Sequence, residues 1–189
     1  TTYYIGAQGP EGIEYLLARD FARSLDVRLA ITPYENEQRL RAALRSGEID
    51  IAAAQLTYRG PWRLFALPSR NYDQVAQLVV HVRGTVKPKS PRDLSGRRIV
   101  VKAESPQAEA LAALRHAAIA DLEWQELPVE AINRPLDVLA AGDADITIVD
   151  APEFRFIRQA YPEIQSAFEL RSSRPVQWIV RRRSNALRA

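Results

Sequence analysis

The chain has 189 residues, of which 47% are hydrophobic and 26% charged, so its composition is that of a folded globular protein. It has no run of about 18 apolar residues, the length that a membrane-spanning helix requires. Cysteine is absent, which excludes disulfides and thiolate metal sites. The net charge of +3 is mild, and the densest basic run, residues 181–183, lacks the interleaved aromatic residues of a nucleic-acid site.

One phrase occurs twice. Residues 46–54 read Ser-Gly-Glu-Ile-Asp-Ile-Ala-Ala-Ala, and residues 141–149 read Ala-Gly-Asp-Ala-Asp-Ile-Thr-Ile-Val. In each copy a glycine ends a predicted helix, two acidic residues follow, and an apolar strand begins. Two such units about half a chain apart favour two similar α/β lobes with a cleft between them. Because the chain starts at Thr1 and contains no methionine, we expect it to be a segment excised from a longer protein.

Hydrophobic periodicity and capping residues locate the elements of the first half. Apolar residues at Ile13, Leu16 and Leu17 predict the inner face of a helix running to Leu25. Asn36 is expected to cap a second helix that ends at Arg45. The predicted strands are residues 27–31, 49–54 and 75–82.

The second half repeats this alternation. Ser105 is expected to cap a helix with Pro106 at its first position, and Pro152 is expected to open another. A further helix is predicted over residues 133–141. The predicted strands are residues 99–101, 122–126, 145–149, 167–170 and 176–180.

These elements predict an α/β protein with two lobes, each a mixed sheet flanked by helices. We expect the first lobe to cover residues 1–82 and to be completed by about residues 172–189. The second lobe is then residues 83–171, and the polar segment 83–91 is the expected crossover.

Ligands of open α/β sheets bind outside the carboxyl ends of the strands. Arg59 or Arg63 could pair with a ligand carboxylate there, and Asp150 with an ammonium group. Tyr4 and Tyr58 flank predicted strand ends and could line the cleft. The full set of candidate ligand-binding residues is Tyr4, Gln55, Leu56, Thr57, Tyr58, Arg59, Trp62, Arg63, Lys102, Ser105 and Asp150.

Structural alternatives exist for several of these residues. Asp150 could instead cap the helix opened by Pro152, Ser105 could be an ordinary helix cap, and Arg63 and Lys102 could point to solvent. Catalytic motifs are absent, and Glu104 in its loop has the features of a solvated acid rather than a catalyst. No pattern predicts a metal or a cofactor.

Several phrases resemble family 3 of the periplasmic solute-binding proteins, which bind amino acids. They are residues 12–18, 47–57, 93–99 and 145–150. Residues 1–4, 77–80 and 161–168, with Trp178, are similar to the regulatory domain of the membrane-bound lytic murein transglycosylase F family.

This resemblance implies a two-lobed periplasmic-binding-protein (Venus-flytrap) fold that binds an amino acid or a peptidoglycan-derived peptide. It implies a periplasmic location, an attached transglycosylase domain outside this chain, and attachment of the full protein to the outer membrane. Gln55, Leu56 and Thr57 match the family segment that supplies ligand amides and a threonine. Lys102 and Ser105 match the second lobe's loop, and Asp150 matches the acid that binds the ligand's amino group.

One position departs from the family pattern. The carboxylate-binding arginine of the family stands five residues after the matched threonine, where this sequence has Trp62. An arginine displaced by one residue points elsewhere, so a free α-carboxylate loses its main partner at this position, and a peptide whose carboxylate is placed differently would fit Trp62 better. The leading hypothesis is a non-catalytic, ligand-sensing regulatory domain of a lytic enzyme. The alternatives are a free amino-acid receptor of a transporter, the sensing lobe of a signalling receptor, and direct catalysis by this chain.

Overall fold

The computed structural model describes residues 4–6, 9–128 and 134–187. The chain divides into two compact units. Unit 1 is Thr1–Asp73 with Pro175–Ala189, and unit 2 is Gln74–Arg174. The division falls at the start of the strand predicted over residues 75–82, so that strand lies in unit 2 rather than in the first lobe.

The elements are numbered in chain order. The strands are β1 (Tyr4–Gly6), β2 (Gly9–Glu11), β3 (Ile51–Leu56), β4 (Ala66–Pro68), β5 (Asp73–Val82), β6 (Ile99–Lys102), β7 (Gln125–Leu127), β8 (Ile146–Asp150) and β9 (Ile164–Arg181). The helices are α1 (Ile13–Ser24), α2 (Glu37–Ser46), α3 (Pro106–Ala117), α4 (Arg134–Ala140) and α5 (Ala151–Ile157). Short 3₁₀ turns cover Gly60–Leu64, Pro91–Leu94 and Arg182–Leu187.

In unit 1, β3 and β4 both pair antiparallel with the C-terminal part of β9. The Asn36 side chain accepts a 2.9 Å hydrogen bond from the backbone N–H of Arg39, so the predicted cap of α2 is confirmed. One face of this sheet is covered by a cluster of buried side chains from α2, the strands and the 3₁₀ turn. Its members are Leu44, Ala52, Leu56, Trp62, Ala66 and Ile179.

Two predictions for unit 1 are wrong. Residues 27–31 do not form a strand, although their apolar residues alternate. A strand needs a hydrogen-bonded neighbour, and no strand in the described ranges pairs with this segment. The predicted inner face of α1 is also wrong, because Ile13, Leu16 and Leu17 are exposed whereas Glu14 and Ala22 are buried.

Unit 2 is a sheet with helices on both faces. Its strand order is β9-β5-β8-β6-β7, with β5 antiparallel to β8, and β6 parallel to both β8 and β7. One face packs Val79, Ile148 and Val101 against Leu111 of α3. The other packs Val80 and Val149 against α4 and α5. These two faces give the mixed sheet flanked by helices that the sequence predicted.

Two strands were predicted over residues 167–170 and 176–180, but both lie within the single strand β9. The chain leaves unit 2 inside this strand, between Arg174 and Pro175. The helix predicted over residues 133–141 is α4, and residue 133 lies outside the described residues. Near the far edge of the sheet, the Trp124 indole N–H donates to Glu126 at 3.1 Å, and the Arg115 guanidinium lies 4.5 Å from the ring centroid.

The repeated phrase has the same structural use in each unit. Gly47, directly after α2, and Gly142, two residues after the end of α4, adopt positive φ angles of 89° and 82°, a conformation that favours glycine. The later acid of each copy then pairs with an arginine of its own unit. Asp50 accepts from the Arg181 guanidinium, and Asp145 accepts from Arg98 at 2.7 Å. Arg98 also donates to the carbonyl oxygens of Gly142 and Asp143, so it holds the turn that follows α4.

The buried His81 makes the stability of unit 2 depend on pH. Its residue exposure is 3%, and its Nδ1 lies 3.1 Å from the Thr85 hydroxyl. That hydroxyl donates its proton to Val82, so the imidazole Nδ1–H is the donor and Nε2 is unprotonated. Burial first, and then the positive charge of Lys87, lower the pKa of His81 below its ordinary value.

A lowered pKa means that the unfolded chain binds a proton before the folded one. Stability is therefore unaffected above about pH 6.5 and is lost as the pH falls below that value, at up to about 1.4 kcal/mol per pH unit. We expect His81→Gln to reduce this loss, measured by urea unfolding at pH 5.0 and 7.5. The other histidine is the exposed His116, and His116→Gln should keep the wild-type pH dependence. An equal loss in the wild type and His81→Gln would contradict this assignment.

Candidate functional site

In unit 1 the candidate segment begins where β3 ends. Gln55 adopts a positive φ of 50°, and the pairing of β3 with β9 shifts register between Ala52 and Leu56. A non-glycine residue pays a conformational cost for such an angle, so surrounding contacts must hold it. The backbone N–H of Gln55 donates to the Glu14 carboxylate at 2.6 Å.

Glu14 is the centre of this arrangement. It is 3% exposed, and three donors satisfy its carboxylate. One oxygen accepts from the Gln55 N–H and from the Tyr72 hydroxyl, and the other accepts from the Trp178 indole N–H at 2.7 Å. A buried carboxylate without partners would be strongly destabilising, so these donors are required for the burial. Glu14 thereby joins α1, the end of β3, the segment before β5 and the C-terminal part of β9.

The helix α1 explains why the acid lies here. Glu14 is in its first turn, where the partial positive charge of the helix N-terminus favours a carboxylate. Glu14 and Ala22 share the buried face of the helix. Phe21 lies between them in sequence and packs edge-on against Trp178, with ring centroids 5.5 Å apart. The residues that satisfy the acid therefore also cover the helix.

Thr57 and Tyr58 are held against β9. The Thr57 hydroxyl donates to the Pro175 carbonyl at 2.9 Å, and the Tyr58 backbone N–H donates to the Gln177 side chain at 3.2 Å. The Tyr58 hydroxyl donates to the Ala66 carbonyl at 3.0 Å. Both side chains are half-buried. Gln55, Thr57 and Tyr58 thus form one continuous, anchored segment after β3, and the Leu56 side chain among them lies in the core.

Trp62 requires a correction. It was expected to bind ligand, but its side chain has no exposed surface and lies in the core cluster of unit 1. Its indole N–H donates to Glu37 at 2.8 Å, and the Arg59 guanidinium pairs with the other oxygen of the same carboxylate at 3.3 Å. Arg59 is also buried, so its charge is already compensated within unit 1. Of the three residues Arg59, Trp62 and Arg63, only Arg63 has an exposed side chain.

Tyr4 lies in β1, but its side chain is outside the described part of the chain. In unit 2, Ser105 is the cap of α3. Its hydroxyl oxygen accepts from the Ala108 N–H at 3.1 Å and donates to the Lys102 carbonyl at 2.5 Å. This confirms the structural alternative for Ser105, whose donor and one acceptor position are in use. Lys102 is half-buried at the end of β6.

Asp150 occupies the N-cap position of α5, as the structural alternative predicted, but its side chain makes no capping hydrogen bond. Its side chain instead binds two partners that the sequence analysis did not single out. One oxygen accepts from the Gln107 amide at 3.0 Å. The other accepts from Arg174 Nε and Nη2 at 2.9 and 2.5 Å. The carboxylate that was expected to meet a ligand ammonium is therefore paired within unit 2.

In the described part of the chain, no group of three or more His, Asp or Glu residues could hold a metal ion. None of the helices there is long and apolar enough to cross a membrane.

Removal of the Glu14 charge should destabilise unit 1. In Glu14→Gln one oxygen becomes an NH₂ group, which would face a donor and leave it unsatisfied. We expect a loss of about 2–3 kcal/mol, the usual cost of a buried unsatisfied polar group near a charge. Urea unfolding followed by tryptophan emission measures it. Glu35→Gln, an exposed acid of the same unit, is the matched control and should change little. Equal stabilities of the two variants would contradict a central role for Glu14.

Comparisons with known proteins identify the relatives of the chain. No family model matches it. It is 30% identical over 192 residues to a membrane-bound lytic murein transglycosylase F of Vibrio cholerae, covering 96% of this chain and 36% of that protein. A protein of the same name from Photobacterium profundum is 33% identical, with 95% and 35% covered. The chain thus spans about a third of the length of these relatives.

Solved structures establish the fold. Holo ArgBP from T. maritima matches with a TM-score of 0.75 at 19% identity, covering 98% of this chain and 80% of that one. The probable amino-acid ABC transporter extracellular-binding protein ytmK from Bacillus subtilis matches with a TM-score of 0.81 at 18% identity, covering 98% and 81%. The chain therefore has the two-lobed fold of periplasmic solute-binding proteins, and it resembles a solute-binding domain rather than a catalytic one. Its sequence is homologous to a segment that makes up about a third of the length of proteins named membrane-bound lytic murein transglycosylase F.

Proposed function

We propose that the chain is a ligand-sensing domain. It binds an amino acid or a peptidoglycan-derived peptide and regulates a lytic murein transglycosylase domain attached to it in a longer, periplasmic protein at the outer membrane. The observation that carries this proposal is the combination of a solute-binding fold with similarity to part of proteins named for murein cleavage. A solute-binding domain attached to a transglycosylase domain is suited to sense the substrate or the product of that enzyme.

Candidate ligand-binding residues occur in each unit. In unit 1 these are Gln55, Leu56, Thr57 and Tyr58, whose backbone is held in place by Glu14, Pro175 and Gln177. Such an anchored segment loses little conformational entropy when it binds a ligand. The exposed guanidinium of Arg63 is the proposed partner of a ligand carboxylate. In unit 2, Lys102 and Asp150 lie at the carboxyl ends of β6 and β8, where ligands of α/β sheets bind.

Regulation would follow if the ligand binds two conformations of the domain with different affinities. A ligand that binds one conformation of the domain better shifts the population toward it, and the attached enzyme responds if it is coupled to the same conformation. This part is tested on the full-length protein by measuring peptidoglycan cleavage with and without added muropeptide. No change in rate at saturating muropeptide would contradict the regulatory role.

A second candidate is a free amino-acid-binding component of a transporter. The structural neighbours favour it, since several of them are described as arginine-binding or amino-acid ABC transporter proteins. The full gene distinguishes the two functions. A transglycosylase domain in the same chain favours the sensor, and a stop codon after the binding domain favours the free receptor.

We expect the chain to bind muropeptides at least tenfold more tightly than free amino acids, because the family's carboxylate-binding arginine is replaced by the buried Trp62. Titration calorimetry with a disaccharide tetrapeptide and with the individual L-amino acids measures this difference. Tight binding of a free amino acid with no binding of the muropeptide would instead identify a free receptor.

Arg63→Ala should weaken binding of any ligand with a free carboxylate by about tenfold or more, which is the usual contribution of a hydrogen bond to a charged group. The same calorimetry measures it. Arg70→Ala removes another exposed arginine of unit 1 and should leave affinity unchanged. Unchanged affinity in Arg63→Ala would show that a different residue binds the carboxylate.

A further inference from the structure

The cluster around Asp150 in unit 2 contains more donors than acceptors. We call Asp150, Arg174, Gln107 and Gln77 the Asp150 cluster. Three donor atoms from Arg174 and Gln107 already point at the two Asp150 oxygens. The Asp150 and Arg174 side chains are 12% and 11% exposed, so this ion pair is largely removed from water. The carboxylate is therefore neutralised by a group of its own unit before any ligand arrives.

Gln77 adds an unsatisfied donor. It is directly opposite Asp150 in the antiparallel pairing of β5 with β8. Directly opposed residues place their side chains on the same face of a sheet, with Cβ atoms about 5 Å apart. Gln77 is 1% exposed, and its Nε2 has no hydrogen-bond partner among the described residues. Buried donors are normally paired, so an acceptor is missing next to the Gln77 amide.

The paired Asp150 carboxylate and the unpaired Gln77 amide indicate which kind of ligand group the Asp150 cluster favours. An ammonium group brings three donors and a positive charge, and it would compete with Arg174 for an occupied carboxylate. A carbonyl or carboxylate oxygen brings the acceptor that the cluster lacks. Lys102 adds a positive charge nearby, since it influences the same neighbouring carboxyl group, Glu153, as Arg174 does.

We propose that Arg174 determines ligand specificity by occupying the place of a ligand ammonium on Asp150. The inference rests on the proposed ligand-binding function and narrows it. The ligand class is an amino acid or peptide whose amino group is acylated, and therefore uncharged, and which presents oxygen acceptors to unit 2. Free amino acids, which carry the ammonium, are selected against because they must displace a tethered guanidinium bound through two nitrogens.

Binding of a ligand ammonium by Glu153 is an alternative that the experiment must distinguish from binding by Asp150. Glu153 lies in the first turn of α5, where the residue as a whole is exposed, and it could itself bind an ammonium. Partial desolvation of its carboxyl group, and then the negative charge of Asp150, raise its pKa. Glu153→Gln is therefore the matched control, because it removes the neighbouring acid and leaves the Asp150–Arg174 pair intact.

The experiment is titration calorimetry of the chain with matched free and N-acetylated probes: L-alanine, L-glutamate and L-alanyl-L-glutamate. We expect the wild type to bind the N-acetylated form at least tenfold more tightly than the free form of a probe. Arg174→Gln frees Asp150 and should shift this ratio at least tenfold toward the free form. The double variant Asp150→Asn with Arg174→Gln lacks the Asp150 carboxylate and should not show this shift. Glu153→Gln should keep the wild-type preference.

Wild-type binding of a free amino acid as tight as that of its N-acetylated form overturns the inference, and this result does not depend on whether any variant folds. So does an unchanged ratio in folded Arg174→Gln. Either outcome leaves ligand binding itself in place. If none of these probes and no muropeptide binds either the wild type or Arg174→Gln, both the specificity and the proposed function are wrong.

Discussion

The buried carboxylate of Glu14 is the constraint on which unit 1 depends. It collects donors from Gln55, Tyr72 and Trp178, which are 41, 58 and 164 positions away along the chain. A buried charge that needs three distant partners is satisfied only when all of them are in place. The hydrogen bond from the Gln55 N–H to Glu14 helps to hold Gln55 at its positive φ angle. It thereby also sets the path of the backbone toward Thr57. A structural acid therefore fixes the backbone of the candidate ligand-binding segment without itself being part of it.

The repeated glycine and acid phrase has a related purpose in both units. Asp50 accepts from Arg181 at the end of β9, and Asp145 accepts from Arg98, which directly precedes β6. In unit 2 that arginine also donates to the carbonyl oxygens of Gly142 and Asp143, so a single guanidinium joins the turn after α4 to the start of β8. In unit 1, a Cβ atom at Gly47 would lie 2.4 Å from the Arg181 guanidinium. A larger residue there would displace the flexible guanidinium that pairs with Asp50, and the positive φ angle of 89° independently favours glycine.

Structural features that depend on a few adjacent residues could be predicted from the sequence. The caps at Asn36 and Ser105, the strand β8 and the two-lobed α/β class were all predicted, because each depends on local propensity or on a short period. The errors arise where a distant partner decides the outcome. Residues 27–31 have the alternation of a strand but no paired neighbour in the described ranges. The buried face of α1 carries an acid, which no apolar pattern can reveal. The pairing of Asp150 with Arg174 joins residues 24 positions apart with no motif between them.

All three tryptophans donate their indole N–H to a glutamate: Trp62 to Glu37, Trp124 to Glu126 and Trp178 to Glu14. Two belong to unit 1 and one to unit 2. Trp62 is fully enclosed, whereas the Trp124 ring is half-buried beneath the Arg115 guanidinium. The wavelength and intensity of indole fluorescence depend on the charges and solvent around the ring. Each unit therefore carries its own natural chromophores: Trp124→Phe would leave the emission of unit 1 alone, and replacement of both Trp62 and Trp178 by phenylalanine would leave that of unit 2 alone, without an added label.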